Sequence, residues 1–255
     1  MNPRITDIVE WLRRRVNAAA ARGLVVGVSG GVDSAVVLRL CQMAMPEQTL
    51  AVTLPCSSDP QDEADAGLVV THFDVPSIVI DLEPAYEAIV LPLQSALASL
   101  PPAIAGAATA GDSRLPLANV RPRLRMTALY FLANSLNYLV VGTGNRSELM
   151  VGYFTKHGDG GVDILPIGHL LKSDVKEIAR ELGVPQPIID KPPSAGLWVG
   201  QTDEAEMGFR YADLGRYLAD GPEGVSPAFA LRLERLIRST EHKRALPPDP
   251  SGANF

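Results

Sequence analysis

Ser29, Gly30, Gly31, Asp33 and Ser34 fall within six consecutive residues and carry the side-chain types that hold a polyphosphate together with its counter-ion. Gly30 and Gly31 have no Cβ, so an anion can come close to their backbone amides. A turn that ends a strand and opens a helix aims several unpaired N–H groups at one point, and the helix dipole adds positive potential there. Asp33 is out of place beside an anion unless the anion arrives with a metal. A hard carboxylate oxygen suits Mg²⁺. A glycine turn with an N-capping aspartate is the plain alternative, and the order strand, Ser-Gly-Gly-Val-Asp-Ser, helix is what sets this turn apart.

The elements that must position the turn lie on both sides of it. Leu24 to Val28 is a short apolar run rich in β-branched residues, the pattern of a buried parallel strand. Ala35, Val36, Leu38, Leu40 and Cys41 then recur as one side of a helix. Upstream, Thr6 or Asp7 is placed to cap a helix built on Ile8, Val9, Leu12 and Val16. Downstream, Thr49–Leu54, Ser77–Ile80 and Tyr138–Val141 read as strands. Asp62–Phe73, Leu82–Leu100, Ala118–Leu136, Lys172–Leu182, Tyr211–Leu218 and Pro227–Glu241 read as helices. Pro101–Leu117, rich in Pro, Ala, Gly and Thr, reads as a loop or loose link, and Tyr153–Pro166 and Pro185–Met207 read as irregular. The alternation predicts an α/β fold: a doubly wound parallel sheet with flanking helices, Rossmann-like, with ligands at the carboxyl ends of the strands.

Composition narrows the class of partner. A chain of 255 residues with 46% hydrophobic and 20% charged residues is an ordinary globular protein of one large domain or two small ones. The net charge of −6 argues against general nucleic-acid binding but leaves room for a local basic pocket. Cys41 and Cys56 form no Cys-x-x-Cys pair and read as reduced thiols. No apolar run reaches membrane length, and the first residues lack a signal-peptide core, so the expected compartment is the cytoplasm.

A second set of segments carries further chemistry. Gly142-Thr143-Gly144-Asn145-Arg146-Ser147-Glu148 follows a strand directly. Gly152-Tyr153-Phe154-Thr155-Lys156-His157-Gly158-Asp159-Gly160-Gly161-Val162-Asp163 comes next, then Lys191-Pro192-Pro193-Ser194 and Gly200-Gln201-Thr202-Asp203-Glu204. Together with the first turn, these resemble the NAD synthetase family, which amidates nicotinic acid adenine dinucleotide (deamido-NAD). The resemblance runs from about Val25 to Lys243. The first turn alone also resembles the pyrophosphatase loop of GMP synthetase, argininosuccinate synthetase and the tRNA-thiolating and lysidine-forming enzymes, which lack the Gly152–Gly161 segment. No lysine lies between Leu24 and Ser34, and the Gly-Lys-Ser/Thr ending of a Walker loop is missing. The resemblance therefore implies cleavage between the α and β phosphates of ATP.

The resemblance also implies a fold of the adenine nucleotide alpha hydrolase type and a set of roles. Gly27, Val28, Ser29, Gly30, Gly31, Val32, Asp33 and Ser34 hold ATP, with Thr143, Lys172 and Ser194. Asp33 and Glu148 bind Mg²⁺; Glu148 stands five residues after Thr143, past a strand end, where it can face Asp33. Arg123, Lys156, Asp163, His242 and Lys243 contact deamido-NAD. The residues alone leave alternatives open. Arg123 is equally a solvated helix charge or a phosphate fork. Lys172 can begin a surface helix capped by Ser173 or Asp174, and His242 and Lys243 can be a solvated helix end.

The implied reaction follows from carboxylate chemistry. A carboxylate is a poor electrophile, so the nicotinate oxygen first attacks the α phosphorus of ATP and pyrophosphate leaves. Ammonia then displaces AMP from the NAD-adenylate, giving NAD. Ammonium has no free lone pair, and Asp159 is the carboxylate placed to bind it and take a proton. The alternative for Asp159 is an Asp-Gly turn residue. Relatives that use glutamine carry a nitrilase-type amidase domain. The synthetase region here begins within about 25 residues of Met1, so the expectation is a single domain over residues 1–255 using free ammonia, unless a separate glutaminase subunit supplies it. A homodimer is expected, with Leu82–Leu100 and Ala118–Leu136 as interface candidates. A tRNA-directed adenylating enzyme would need a basic surface or a further RNA-binding domain. A catalytically dead nucleotide sensor would have lost Asp33 or Glu148, and both are present.

Overall fold

The structure, a computed structural model, describes residues 2–108, 114–194, 202–248 and 250. In chain order the elements are α1 (Pro3–Ala18), β1 (Gly23–Gly27), α2 (Val32–Ala44), β2 (Thr49–Thr53), α3 (Pro60–Phe73), β3 (Ser77–Val79), α4 (Glu83–Ala98), α5 (Pro102–Ala108) and α6 (Arg114–Ala118). There follow α7 (Val120–Leu136), β4 (Tyr138–Val141), α8 (Arg146–Val151), α9 (Lys172–Glu181), α10 (Gln186–Asp190), α11 (Asp203–Met207), α12 (Tyr211–Asp220) and α13 (Pro227–Ser239).

Among the described residues the sheet runs β3-β2-β1-β4, all parallel, with Leu24 opposite Thr49 on one side and Leu139 on the other. Strand alternation sends β1 side chains to both faces. Leu24 and Val26 pack with α1, α2, α9 and α10 through Leu12, Leu38, Ile178 and Ile188. Val25, with Val52 and Val140, packs on the other face under α7 and the start of α4, against Ala133, Leu129 and Tyr86. Both faces are covered, as a parallel sheet requires, because it has no face suited to water. Each fully buried aliphatic side chain contributes roughly 1.5–3 kcal/mol relative to exposure. The doubly wound, Rossmann-like expectation holds.

The strand order puts a topological switch between β1 and β4: the chain leaves β1 toward β2 and β3, then returns to pair β4 on the other side. A crevice opens at the carboxyl ends of two such strands. A third apolar cluster, Val151, Met207, Phe209, Tyr211, Leu214 and Leu233, joins α8, α11, α12 and α13 beside that crevice.

Three expectations change. The first helix starts at Pro3 and is capped by Asn2, whose side chain accepts from the Arg4 N–H, rather than by Thr6 or Asp7. Proline is well suited to the first helical position because the N–H it lacks would have no partner there. Pro101–Leu117 contains α5 and α6, with 109–113 outside the described residues; alanine, abundant in the segment, is the best helix former. Pro185–Met207 contains α10, anchored by the buried Ile188 and Ile189, and α11, capped by Thr202. Residues 195–201 of that segment, Trp198 included, lie outside the described residues.

Candidate functional site

The turn after β1 is braced by its own serines. The Ser29 N–H donates to Ser34 Oγ (3.2 Å), Ser34 Oγ donates to the Gly31 carbonyl (2.9 Å), and the two hydroxyls are 3.2 Å apart. Gly31 caps α2 with no side-chain bond, so the first amides of a 13-residue helix stay available to an anion. Gly30 has φ 78°, and a Cβ there would lie 2.5 Å from the Asp62 carbonyl oxygen. Its role is to let α3 press against the back of the loop.

Asp33, on the first turn of α2, meets two groups from the far side of the switch point. Lys172, at the start of α9, directs its ammonium to Asp33 Oδ2 and lies 3.3 Å from Glu148 Oε1 on α8. Lys172 is only 6% exposed, so it is not the surface charge that its position at a helix start would suggest. Asn145, the N-cap of α8, donates from Nδ2 to Asp33 Oδ1 at 2.9 Å. Asp203 completes the cluster. Its Oδ2 accepts from the Tyr211 hydroxyl at 2.8 Å, and its buried Oδ1 has no hydrogen-bond partner among the described residues.

The electrostatics follow from this crowding. Burial, then the charge of Asp33, pushes the Glu148 carboxyl up to about 7, with Lys172 opposing. Burial alone would lower the Lys172 ammonium, but Asp33 and Glu148 outweigh it and hold the group above the usual lysine range. Burial also raises Asp203. Three carboxyl groups therefore crowd one ammonium, and two of them, Glu148 and Asp203, are raised by burial and by that crowding.

A cleft of about 460 Å³ runs from this cluster between the ends of β1, β2 and β4. Of the residues expected from the sequence, Gly27, Val28, Ser29, Gly31, Val32, Asp33, Ser34, Thr143, Glu148, Lys172 and Ser194 line it, and Gly30 supports it from behind. Asp159 and Lys243 line it as well. Asp159 is exposed on the cleft and accepts from the Thr155 N–H at 2.8 Å; the surrounding protein shifts its carboxyl upward, with that hydrogen bond and then Lys243 opposing. Lys243 donates to the carbonyls of Gly152 and Phe154 (2.7 and 2.9 Å).

The other four residues expected to meet the dinucleotide do not line this cleft. Arg123 is exposed on α7 and donates to the Lys156 carbonyl at 3.3 Å. Lys156 in turn donates to the His242 carbonyl, so these three form a rim. Asp163 is engaged within its own chain, Oδ1 accepting from the Tyr130 hydroxyl (2.9 Å) and Oδ2 from the Val140 N–H (2.8 Å).

Residues 4–247 match the NAD synthase family. A protein of Carboxydothermus hydrogenoformans, an NH(3)-dependent NAD(+) synthetase, is 51% identical over 243 residues, 95% of each chain. The chain belongs to the NAD synthase family. Solved structures agree in fold. The NMN synthetase of Francisella tularensis is 37% identical and superposes with a TM-score of 0.86 over 99% of this chain and 98% of its own. The NAD+ synthetase of Burkholderia pseudomallei is 30% identical, with a TM-score of 0.75 over 96% and 90%.

The donor set of this family member suits a hard cation held jointly with phosphate. Among the described residues no group of three or more His, Cys, Asp or Glu is arranged to hold a metal by itself. Asp33 and Glu148, however, already converge on one positive charge, and Asp203 has a buried carboxylate oxygen with no hydrogen-bond partner among the described residues. Mg²⁺ is commonly held by one or two carboxylates, with substrate phosphates and water completing its shell.

Sequence reasoning passed over Asn145, Arg125, Asp203 and Tyr211. A signal existed for Asn145: Asn-x-x-Glu is a capping-box pattern, and it is formed here with Glu148. Of the Arg121, Arg123, Arg125 run, it is Arg125 that reaches the cleft, donating to the Leu54 carbonyl (3.0 Å) and Ser58 Oγ (3.1 Å). Helix phase decides between them, and phase depends on how α7 sits on the sheet.

The raised Glu148 carboxyl has a measurable consequence. Its folded value of about 7 exceeds the ordinary 4.5, so between those values the folded state holds a proton that the unfolded state lacks. Stability from this group is full below pH 4.5 and is lost as pH rises through 7. Glu148→Gln keeps the capping box and removes the charge. The ligand-free variant should melt at least about 2 °C above the parent at pH 8, with the gap closing toward pH 5. A constant gap across that range in thermal-shift curves would show that Glu148 is ionised throughout.

Proposed function

We propose that this chain condenses deamido-NAD with ammonia at the expense of ATP, giving NAD, AMP and pyrophosphate through an NAD-adenylate. The observation that carries the reading is the meeting of two strand-end loops, Ser29–Ser34 and Gly142–Glu148, on the single ammonium of Lys172, in a chain 51% identical to an NH(3)-dependent NAD(+) synthetase. The family is one of ATP-using ligases of NAD biosynthesis.

The loop amides and the N-terminus of α2 hold the phosphates, with Ser29, Ser34, Thr143 and Ser194 as hydroxyl contacts. Lys172 adds positive charge where pyrophosphate departs. Asp33 and Glu148 would hold Mg²⁺, which supplies charge neutralisation on the leaving group. Asp159 takes a proton from the ammonium nitrogen, and its raised carboxyl brings it nearer the operating pH. Positioning carries most of the rate, since both steps join bound partners.

The reading extends to a single synthetase domain fed by ammonia. In support, the C. hydrogenoformans protein is matched over 95% of its own length. It extends to a homodimer that completes the dinucleotide pocket. In support, α4 buries none of its residues although it is largely apolar, and Leu91 (66% exposed) and, on α7, Phe131 (71%) face outward. Arg123, Lys156 and His242 form a rim outside the cleft, where a second copy could bring substrate to them. A cytoplasmic setting is supported by two free cysteines, both buried; no described helix is long and apolar enough to cross a membrane.

The F. tularensis match favours a second reading. That protein is an NMN synthetase, and the acid form of its product is nicotinic acid mononucleotide. The reacting atoms are the same; the substrates differ only in the adenylyl half.

With ATP, Mg²⁺ and ammonium, the chain should release one AMP and one pyrophosphate per amide formed, and glutamine should not replace ammonium. Its kcat/KM for deamido-NAD should exceed that for nicotinic acid mononucleotide by at least about tenfold, one unit of 1.4 kcal/mol in the barrier. The reverse order would establish the second reading, and ADP among the products would sink both. Asp159→Asn should slow amide formation about 100-fold while pyrophosphate appears in a burst; equal slowing of both products would reduce Asp159 to a turn residue. Light scattering should give twice the chain mass, and Leu91→Glu with Phe131→Glu should halve it. A fully active monomer would refute the shared pocket.

A further inference from the structure

Each carboxylate of the Asp33–Glu148 pair has one oxygen on Lys172 and the other on a single residue, Asn145. Asp33 Oδ2 faces the Lys172 ammonium, and Asp33 Oδ1 accepts from Asn145 Nδ2 at 2.9 Å. Glu148 Oε1 lies 3.3 Å from the same ammonium and accepts from the Tyr211 hydroxyl at 3.4 Å, and Glu148 Oε2 accepts from the Asn145 backbone N–H at 3.3 Å. The remaining side-chain atom, Asn145 Oδ1, accepts from the Glu148 N–H at 3.2 Å. Asn145 is fully buried, at 0% exposure.

We propose that Asn145 is the positioning residue of the cation site: it holds the outer oxygens of Asp33 and Glu148 so that the inner oxygens, Oδ2 and Oε1, converge on one cation. The inference rests on the assignment of Mg²⁺ to Asp33 and Glu148. Asn145 touches none of the reacting atoms.

Helix capping accounts for part of this geometry and not for the rest. A cap needs only an acceptor for the Glu148 N–H, and Ser, Thr and Asp supply one as well as Asn does. The bond from Nδ2 to Asp33 does nothing for the helix. It crosses from the β4 side of the switch point to the β1 side, joining residues 112 apart in the chain. Only a side-chain amide offers an acceptor to the helix and, at the same time, a donor that reaches Asp33 from this distance. Without that donor, Asp33 is held through Oδ2 by Lys172 alone, and nothing fixes the angle of its carboxylate plane toward Glu148. A group that orients a metal ligand is typically worth 10–100-fold in metal affinity or activity.

Asn145→Ser and Asn145→Ala separate the two roles. Serine keeps the cap and loses the amide; alanine loses both. Mn²⁺ binding is read by electron paramagnetic resonance in the presence of a non-hydrolysable α,β-methylene ATP, on protein confirmed folded by circular dichroism, with melting curves alongside. Both variants should bind Mn²⁺ about 10–100-fold more weakly, and only alanine should also lose the melting temperature of a missing cap. In turnover, the Mg²⁺ concentration for half-maximal rate should rise in both variants. Parental Mn²⁺ affinity in Asn145→Ser, or losses that follow the melting temperature in both variants, would overturn the proposal and leave Asn145 as a cap alone. Asp33→Asn is the control. If it binds Mn²⁺ as the parent does, the metal assignment itself falls and the positioning role falls with it. If it loses Mn²⁺ while Asn145→Ser does not, only the positioning role is lost.

Discussion

Two carboxylates and one ammonium, buried at the mouth of a cleft, impose the main constraint on this protein. Two like charges about 4 Å apart repel by about 4 kcal/mol at an effective dielectric of 20. Desolvation adds several kcal/mol for each ion. Such a cluster survives only when the opposite charge is held in place and the remaining lone pairs are satisfied. Here the three charges come from three elements, α2, α8 and α9, and Asp33 on α2 stands 139 residues before Lys172 on α9. The sheet order, the helix packing and the capping of α8 all have to be right for Asp33, Glu148 and Lys172 to meet.

The fold meets this constraint with short levers. Asp33 and Glu148 both stand on the first turn of a helix that leaves a strand end, so the sheet fixes their origin to within a few residues. Gly142 allows close approach where β4 ends: a Cβ there would meet Leu165 Cδ2 at 2.7 Å. The Ile164 backbone consequently bridges to Val141 and continues the sheet into the segment leading to Lys172. The core helix α9 buries Val175, Ile178 and Ala179, and its first residue is carried inward with that face.

The cleft divides its chemistry by charge. Around Asp33 and Glu148, carboxyl groups sit beside the free amides of α2, an arrangement that favours an anion accompanied by a cation over either alone. Elsewhere in the lining, Asp159 and Lys243 interact with one another, and Asp159 offsets part of the burial that lowers the Lys243 ammonium. A reaction that first expels pyrophosphate and then admits a small amine is served by such a division, because neither step needs the other's charges.

The sequence by itself determined the alternation of strands and helices, the strand–Ser29-to-Ser34–helix turn and the buried face of the first core helix. These are local matters: β-branched runs, glycine at a positive φ, apolar residues at helical spacing. The family motifs also carried Asp33, Thr143, Glu148, Lys172, Asp159 and Lys243, all of which line the cleft. Only the tertiary structure decided that Arg125 rather than Arg123 enters the cleft, that Lys172 is buried between two acids, and that Asn145 reaches Asp33. Each depends on the angle at which one element sits on another, which no spacing along the chain encodes. The same limit applies to α4. Its sequence is apolar enough for a core helix, yet it buries no residue within the chain, because an apolar pattern states that a surface must be covered and leaves open what covers it.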